Sequence, residues 1–212
     1  MSNDVEIHVG KPQLGWRFVI FWIAANLATV LAALSIFTIS GGAVTDVIMP
    51  DPAVGGQASG NAGLAGLSIA FILTLPTTTL IAGFLQWLVL RWSVPWAAHW
   101  MLATFIGVLL CIVVGLSVGR GALGWGILGL LMGLPQWFVI RKSLPGAYWW
   151  IVASTLGMAL GRLLIPMRLT FSGVVLSGLP QLMVQMLGPV LVWAIVSGIT
   201  LRGLSQAAAT SK

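Results

Sequence analysis

Charge is scarce in this chain: only 7% of its 212 residues are Asp, Glu, Lys or Arg, whereas 58% are hydrophobic. Ordinary globular domains carry about 25% charged residues, so the chain lacks the charge that would cover a soluble surface. This composition excludes a soluble enzyme. The ten basic residues give a net charge of +6. They are scattered between apolar runs and do not form the basic patch of a nucleic-acid-binding protein, so we expect no nucleic-acid partner.

Acids and cysteine are also few, with four acidic residues and one cysteine, Cys111, which cannot form an intrachain disulfide. All four acids lie outside the apolar runs: Asp4, Glu6, Asp46 and Asp51. Ion-coupled carriers usually bury an acid on the ion path. The sequence also contains no Walker loop and no H-E-x-x-H motif. We therefore predict no enzymatic activity, no catalytic residue and no metal site.

Long apolar runs are abundant. A bilayer core about 30 Å thick needs about 20 helical residues to cross it. Six runs predict an all-α integral membrane protein with six transmembrane helices, five or seven being less favoured: Trp16–Ser40, Leu64–Leu90, Ala97–Gly119, Ala122–Ile140, Ala147–Leu164 and Met183–Leu201. The segment Thr170–Leu182 is also apolar. Its proline and two glycines leave open whether it is re-entrant, interfacial or part of helix 6.

Basic residues are distributed unequally between the two sides of this arrangement. Seven fall on the side of the N-terminus: Lys11, Arg17, Arg91, Arg141, Lys142, Arg202 and Lys212. Three fall on the other side: Arg120, Arg162 and Arg168. The positive-inside rule then predicts cytoplasmic N- and C-termini, with the protein in a cell (inner) membrane. The expected domains are a tail (1–15), a transmembrane domain (16–202) with an external loop (41–63), and a second tail (203–212).

An internal repeat links residues 83–107 with residues 133–157. At a constant offset of 50, eleven of 25 positions are identical without a gap. Because the period covers two spans, the repeats are parallel, and they predict three hairpins made of helices 1–2, 3–4 and 5–6. A third copy is degenerate: Gly198–Arg202 ends helix 6 without a Gln-Trp pair. In helix 1, Trp22 with Ala25 faintly echoes Trp100 with Ala103 in helix 3.

Each clear copy carries the pattern G-x-x-Q-W-x-V-x-R. Its glycine, tryptophan and arginine are four residues apart, so they share one helix face, and the guanidinium can lie over the indole. The glutamine lies about 7 Å deeper in the membrane than the arginine. At that depth its amide needs a partner such as another helix backbone or the other glutamine. We name these two groups the Gln/Trp/Arg corners: Gln86, Trp87 and Arg91 in one, and Gln136, Trp137 and Arg141 in the other.

At these residues the sequence resembles a group of uncharacterised bacterial multi-pass membrane proteins with repeated G-x-x-Q-W-x-V-x-R segments. The resemblance covers about residues 80–165. It implies an integral membrane protein of several hairpins. It implies no activity and transfers no functional residue.

Two further residues are candidates for a site. His99 starts helix 3, where it could ligate a haem or chlorophyll metal; the repeat places Trp149 at the partner position, and an interfacial histidine is more often simply solvated. Arg162, in helix 5, could extend outward to lipid head groups. Alternatively it pairs with Gln181 or Gln185 inside the bundle, and a buried Arg162 would mark a functional site.

Two functions remain open for this sequence. The first is a non-enzymatic accessory or assembly subunit that packs in a larger membrane complex, with lipid or pigment as candidate associates and other subunits or a second copy as partners. The second is a carrier or binder of a small solute or a lipid, which would use the Gln/Trp/Arg corners. Corners that converge on a cavity would favour the carrier, and outward-facing groups would favour the subunit.

Overall fold

The structure, a computed structural model, describes residues 14–48, 76–115, 121–165, 170–171, 174–175 and 178–211. These residues form six helices and one pair of two-residue strands: α1 (Trp16–Ile48), α2 (Pro76–Leu90), α3 (Ala97–Gly115), α4 (Ala122–Ile140), α5 (Tyr148–Leu164), β1 (Thr170–Phe171), β2 (Val174–Val175) and α6 (Gly178–Thr210). Four helices, α1, α3, α4 and α6, are long and apolar enough to cross a membrane. The predicted helical membrane protein is confirmed at this level.

The observed helix bounds agree best with the predicted ones in the middle of the chain. Helix α4 has the predicted bounds, and α3 starts at the predicted Ala97. The first helix continues past its predicted end to Ile48, into the segment predicted as a loop. A glycine costs a helix about 1 kcal/mol and does not stop it, whereas the first strong breaker beyond the span is Pro50. The predicted residues 64–75 and 116–119 lie outside the described part of the chain.

The last helix is longer than predicted at both ends. Helix α6 begins at Gly178, so the end of the ambiguous 170–182 segment belongs to helix 6. A proline in the first helical turn is tolerated because the N–H groups there have no intrahelical partner. Before the helix, β1 and β2 pair in antiparallel register, with Thr170 opposite Val175. At the other end α6 extends to Thr210, through most of the predicted C-terminal tail, and buries Leu204 and Ala208.

Glycines bring neighbouring helices into close contact. A Cβ atom on Gly129 of α4 would collide with the backbone of Ser154 in α5. A Cβ atom on Gly157 of α5 would lie 2.9 Å from the Cα atom of Trp193 in α6. The glycines one turn later in the same two helices, Gly133 and Gly161, also contact the adjacent helix. These glycines therefore let α4 and α5 approach their neighbouring helices closely.

The last helix packs back onto the first. Leu14 N donates a hydrogen bond of 3.0 Å to Ser205 Oγ, just before α1 begins. Deeper in the same contact, a Cβ atom on Gly198 would lie 3.0 Å from Trp22 Cδ1. Contacts between α3 and α4, α4 and α5, and α5 and α6 complete the series. The described helices thus follow one another around a common core, in which α6 lies next to α1.

Candidate functional site

Three tryptophans meet in the core. Trp22 of α1, Trp100 of α3 and Trp150 of α5 are fully buried and contact one another edge to face, with centroid separations of 5.8, 6.2 and 5.1 Å. We call them the tryptophan triad. Each comes from an odd-numbered helix, near its N-terminal end. Edge-to-face packing suits the quadrupoles of the rings. The triad therefore stabilises the packing of α1, α3 and α5 through ring geometry as well as through apolar burial.

Gln86 is the most connected polar side chain beside the triad. It is 2% exposed, and its Nε2 donates to Asn26 Oδ1 at 2.8 Å. Its Oε1 accepts from Trp100 Nε1 at 2.9 Å and from Thr104 Oγ1 at 3.1 Å. One amide in α2 therefore joins α1 to α3. The sequence predicted that this amide needs a partner, and the partners are side chains rather than a helix backbone.

Gln136 repeats part of this pattern one unit later. It is fully buried, and its Oε1 accepts from Trp150 Nε1 at 3.2 Å, as Gln86 Oε1 does from Trp100. Its Nε2 donates to Thr104 Oγ1 at 3.1 Å. The two glutamines are thus linked through a threonine, not directly. We call this set the amide network: Asn26, Gln86, Trp100, Thr104, Gln136 and Trp150.

A third contact of the same kind connects α6 to α1. Trp22 Nε1 donates to Ser197 Oγ at 3.0 Å. Ser197 lies five residues before Arg202, just as each glutamine lies five residues before its arginine. The residues next to the three arginines are also equivalent in burial, since each is fully buried: Leu90, Ile140 and Leu201. The degenerate copies of the repeat, around Trp22 in α1 and before Arg202 in α6, therefore lie next to each other although they are at opposite ends of the chain.

Two buried polar atoms in this region lack a hydrogen-bond partner among the described residues, Ser154 Oγ and Trp193 Nε1. Ser154 follows Trp150 by four residues, the position that Thr104 has after Trp100 and Asn26 after Trp22. Asn26 accepts a hydrogen bond from Gln86, and Thr104 accepts one from Gln136. The corresponding position of α6 is Ser197, whose side chain is shorter than glutamine. The unpartnered hydroxyl thus coincides with the missing third amide.

The arginines of the corners lie at the surface. Arg91 and Arg141 are exposed, and their Cζ atoms lie 5.2 and 5.3 Å from the ring centroids of Trp87 and Trp137. The predicted stacking one turn back is confirmed. The guanidinium of Arg91 also lies 4.3 Å from the ring centroid of Trp92, the next residue, and that of Arg141 lies 4.5 Å from Phe138, three residues before it. The corners therefore divide into an inward amide and an outward cation.

The other two candidates lie apart from the amide network. His99 is exposed on the first turn of α3. Arg162 is 8% exposed near the end of α5, and its Nη1 donates to Ile165 O at 3.0 Å. It lies twelve residues, or about 18 Å of helix, from Trp150. Arg162 is therefore buried, which was the condition for treating it as a functional candidate, and the carbonyl at its own helix end is one of its partners.

Sequence reasoning missed three participants in the amide network or its α6 counterpart: Asn26, Thr104 and Ser197. A signal existed for two of them, since Thr104 and Ser154 match at the offset of 50 and Asn26 follows its tryptophan by four residues. No three His, Cys, Asp or Glu residues in the described ranges come together as a metal site would require. What the arrangement offers chemically is hydrogen bonding between helices.

Two apolar grooves lie on the outside of the bundle. One, of about 630 Å³, runs between the start of α1 and the end of α2. The other, of about 410 Å³, lies between α5 and α6. We call them the α1–α2 groove and the α5–α6 groove. Both open at the outer face of the bundle, away from the tryptophan triad.

No protein-family model matches this chain, and comparisons with curated proteins and with solved structures found no match either.

Proposed function

We propose that this protein is a non-enzymatic integral membrane protein that serves as an accessory or assembly subunit, packing against other proteins of a larger membrane complex. The observation that carries the proposal is the amide network. Its polar atoms are used between helices of the same chain, so the network stiffens the bundle. A stiff bundle with an apolar outside is suited to present fixed helix faces to partners.

The alternative, a carrier that uses the Gln/Trp/Arg corners, has less support. Its central groups would be the amides of Gln86 and Gln136, which are 2% and 0% exposed. Both ends of each amide bond to side chains of neighbouring helices. A solute would have to replace these bonds before it could bind there. The arginines, which are accessible, sit outside the core.

The outer face supports the subunit proposal through its chemistry. Large apolar side chains point outward from several helices, among them Leu123 at 80%, Val113 at 74% and Leu164 at 70% exposure. Such a surface is stable against lipid or against another membrane protein. Close association inside a bilayer depends on van der Waals fit and small residues rather than on hydrophobic burial. Partner choice would therefore depend on the shape of these faces.

For the membrane arrangement, we propose six spans in three parallel-repeat units, with both termini in the cytoplasm. The membrane would be the inner membrane of a bacterium. Arg91 and Arg141 directly follow the C-terminal ends of α2 and α4, and Arg202 lies in the C-terminal third of α6, which supports this orientation. Reporter enzymes fused after residue 212 and within residues 49–63, the part of the predicted external loop that follows α1, test it. A reporter active outside the cytoplasm in the first fusion would contradict the orientation.

The function is tested by purifying the tagged, natively expressed protein in mild detergent. The proposal predicts an assembly much larger than the 22.4 kDa chain, with other proteins in fixed ratio. An absorption spectrum of that assembly would reveal any associated pigment or haem. The double substitution Gln86→Leu and Gln136→Leu should loosen the assembly in step with lost thermal stability. A particle containing only this chain, in one copy or a simple multiple, would contradict the proposal.

A further inference from the structure

The α1–α2 groove combines an apolar floor with aromatic walls. Its lining includes Leu14, Trp16, Phe18, Phe21, Leu88 and Trp92. The two indoles are 58% and 80% exposed, so they stand at the mouth of the groove and not in its floor. Exposed tryptophans are typical of the membrane–water interface, where an apolar ring meets polar head groups. The groove therefore runs from an interfacial mouth into an apolar interior.

Three arginines surround this mouth. Arg17 lines the groove itself. The Cζ atom of Arg91 lies 4.3 Å from the ring centroid of Trp92, and that of Arg202 lies 4.2 Å from Trp16. The three guanidiniums come from different parts of the bundle: the start of α1, the end of α2 and the C-terminal third of α6. Each lies in the groove or over one of its two indoles.

This positive charge has no acidic counterpart among the side chains that the structure describes, since none of them is Asp or Glu. In addition, Arg202 Nε is buried and lacks a hydrogen-bond partner among the described residues. Arginine recognises phosphate through paired N–H donors. The attraction between a guanidinium and a phosphate is stronger where water is partly excluded. Charge and donors at the mouth therefore fit an anionic phosphate.

We propose that the α1–α2 groove binds one anionic phospholipid, with an acyl chain along the apolar floor and the phosphate among Arg17, Arg91 and Arg202. A free anion would use the arginines but leave the apolar groove unexplained. A lipid uses both. Basic residues at a membrane surface favour anionic over zwitterionic lipids. This site is separate from the amide network and does not depend on the proposed role as a subunit.

The α5–α6 groove provides an internal comparison. It lies between the corresponding pair of helices, and its lining includes Trp149, Val196, Thr200 and Leu204 but no charged residue. Lipid tails can lie in either groove, whereas a phosphate finds guanidiniums at only one of these two mouths. Selectivity for charge should therefore belong to the α1–α2 groove.

The test uses the full-length protein in detergent, with bound lipids counted by native mass spectrometry during titration with phosphatidylglycerol or phosphatidylcholine. We expect one phosphatidylglycerol to bind more tightly than any phosphatidylcholine. Arg17→Gln and Arg91→Gln should each weaken it about fivefold, and Arg91→Lys should retain most of the binding. Arg141→Gln is the matched control, because the guanidinium of Arg141 lies over Trp137 and Phe138, neither of which lines the groove, whereas that of Arg91 lies over Trp92, which does.

A second pair of variants tests the groove without changing charge. A Cβ atom on Gly15 or on Gly203 would meet no other atom within 4 Å, so larger side chains fit at both positions. Gly15 lines the α1–α2 groove, and Gly203 lines the α5–α6 groove. Gly15→Leu should therefore displace the bound phosphatidylglycerol at least in part, while Gly203→Leu should leave it in place.

Four results would overturn the proposal. The first is equal binding of the two lipids. The second is an equal loss with Arg141→Gln and Arg91→Gln. The third is full competition by inorganic phosphate at matched concentration, which would make the site one for a free anion. A stoichiometric protein that cross-links to Trp16 and Trp92 in place of lipid would also overturn it.

Discussion

The indole of Trp22 donates a hydrogen bond of 3.0 Å to the hydroxyl of Ser197, joining residues 175 positions apart in the chain. The bond has the same place in the bundle as those that Trp100 and Trp150 make to Gln86 and Gln136. By these contacts, α6 pairs with α1 as α2 pairs with α3 and α4 with α5. Three tryptophan-anchored helix pairs therefore surround the core.

Replacing Gln86 with leucine should lower the free energy of unfolding by about 1–3 kcal/mol. The change deprives three buried side chains of a partner. Gln136→Leu should cost less, because Gln136 makes two such bonds. Thermal unfolding in detergent, followed by near-ultraviolet circular dichroism, would measure both. The exposed Gln206→Leu serves as control, and an equal loss in all three variants would contradict a role for the network.

Ser197→Ala and Ser154→Ala should differ in sign or size although the chemical change is the same. The first leaves the buried Trp22 Nε1 without its acceptor and should cost about 1–3 kcal/mol. The second removes a buried hydroxyl that has no partner among the described residues, so stability should be unchanged or slightly higher. Unfolding in the same detergent compares them. A larger loss for Ser154→Ala would mean that its hydroxyl has a partner, such as a buried water.

Gly157→Ala should destabilise the contact between α5 and α6. The added Cβ would lie 2.9 Å from the Cα atom of Trp193, so one backbone must move, at a typical cost of about 1–3 kcal/mol. Gly203→Ala is the matched control in α6, since its Cβ would enter open space. There the better helix propensity of alanine should raise stability by up to about 1 kcal/mol. Equal effects of the two substitutions on unfolding would show that α5 and α6 are not in close contact.

Arg91→Gln and Arg141→Gln should change stability by less than about 1 kcal/mol. Both arginines are exposed, and a cation–π contact at an exposed site is worth about 0.5–1 kcal/mol. Unfolding curves of the two variants should therefore nearly coincide with that of the parent protein. A loss comparable to that of Gln86→Leu would place the guanidiniums in the buried core after all.

The sequence predicted a helical membrane protein and the need of the two amides for partners, because apolar run length and an internal repeat can be read directly from it. Apolar run length predicted α4, and an offset of 50 revealed Gln86 with Gln136. The place of Ser197 could not be predicted in this way. Its identity as the third partner depends on helix α6 lying beside α1, and the five-residue spacing between Ser197 and Arg202 becomes meaningful only once that neighbour is known. The same holds for Arg202 over Trp16, a contact between opposite ends of the chain.

The pairing of α6 with α1 also fixes an order of events during synthesis. Chains emerge from the ribosome N-terminus first, so α1 is made well before α6. Until Ser197 arrives, the indole nitrogen of Trp22 lacks the acceptor that it has in the finished protein. Helix α1 is therefore among the last of the described helices to have all its partners, and a chain truncated before α6 leaves that indole without Ser197.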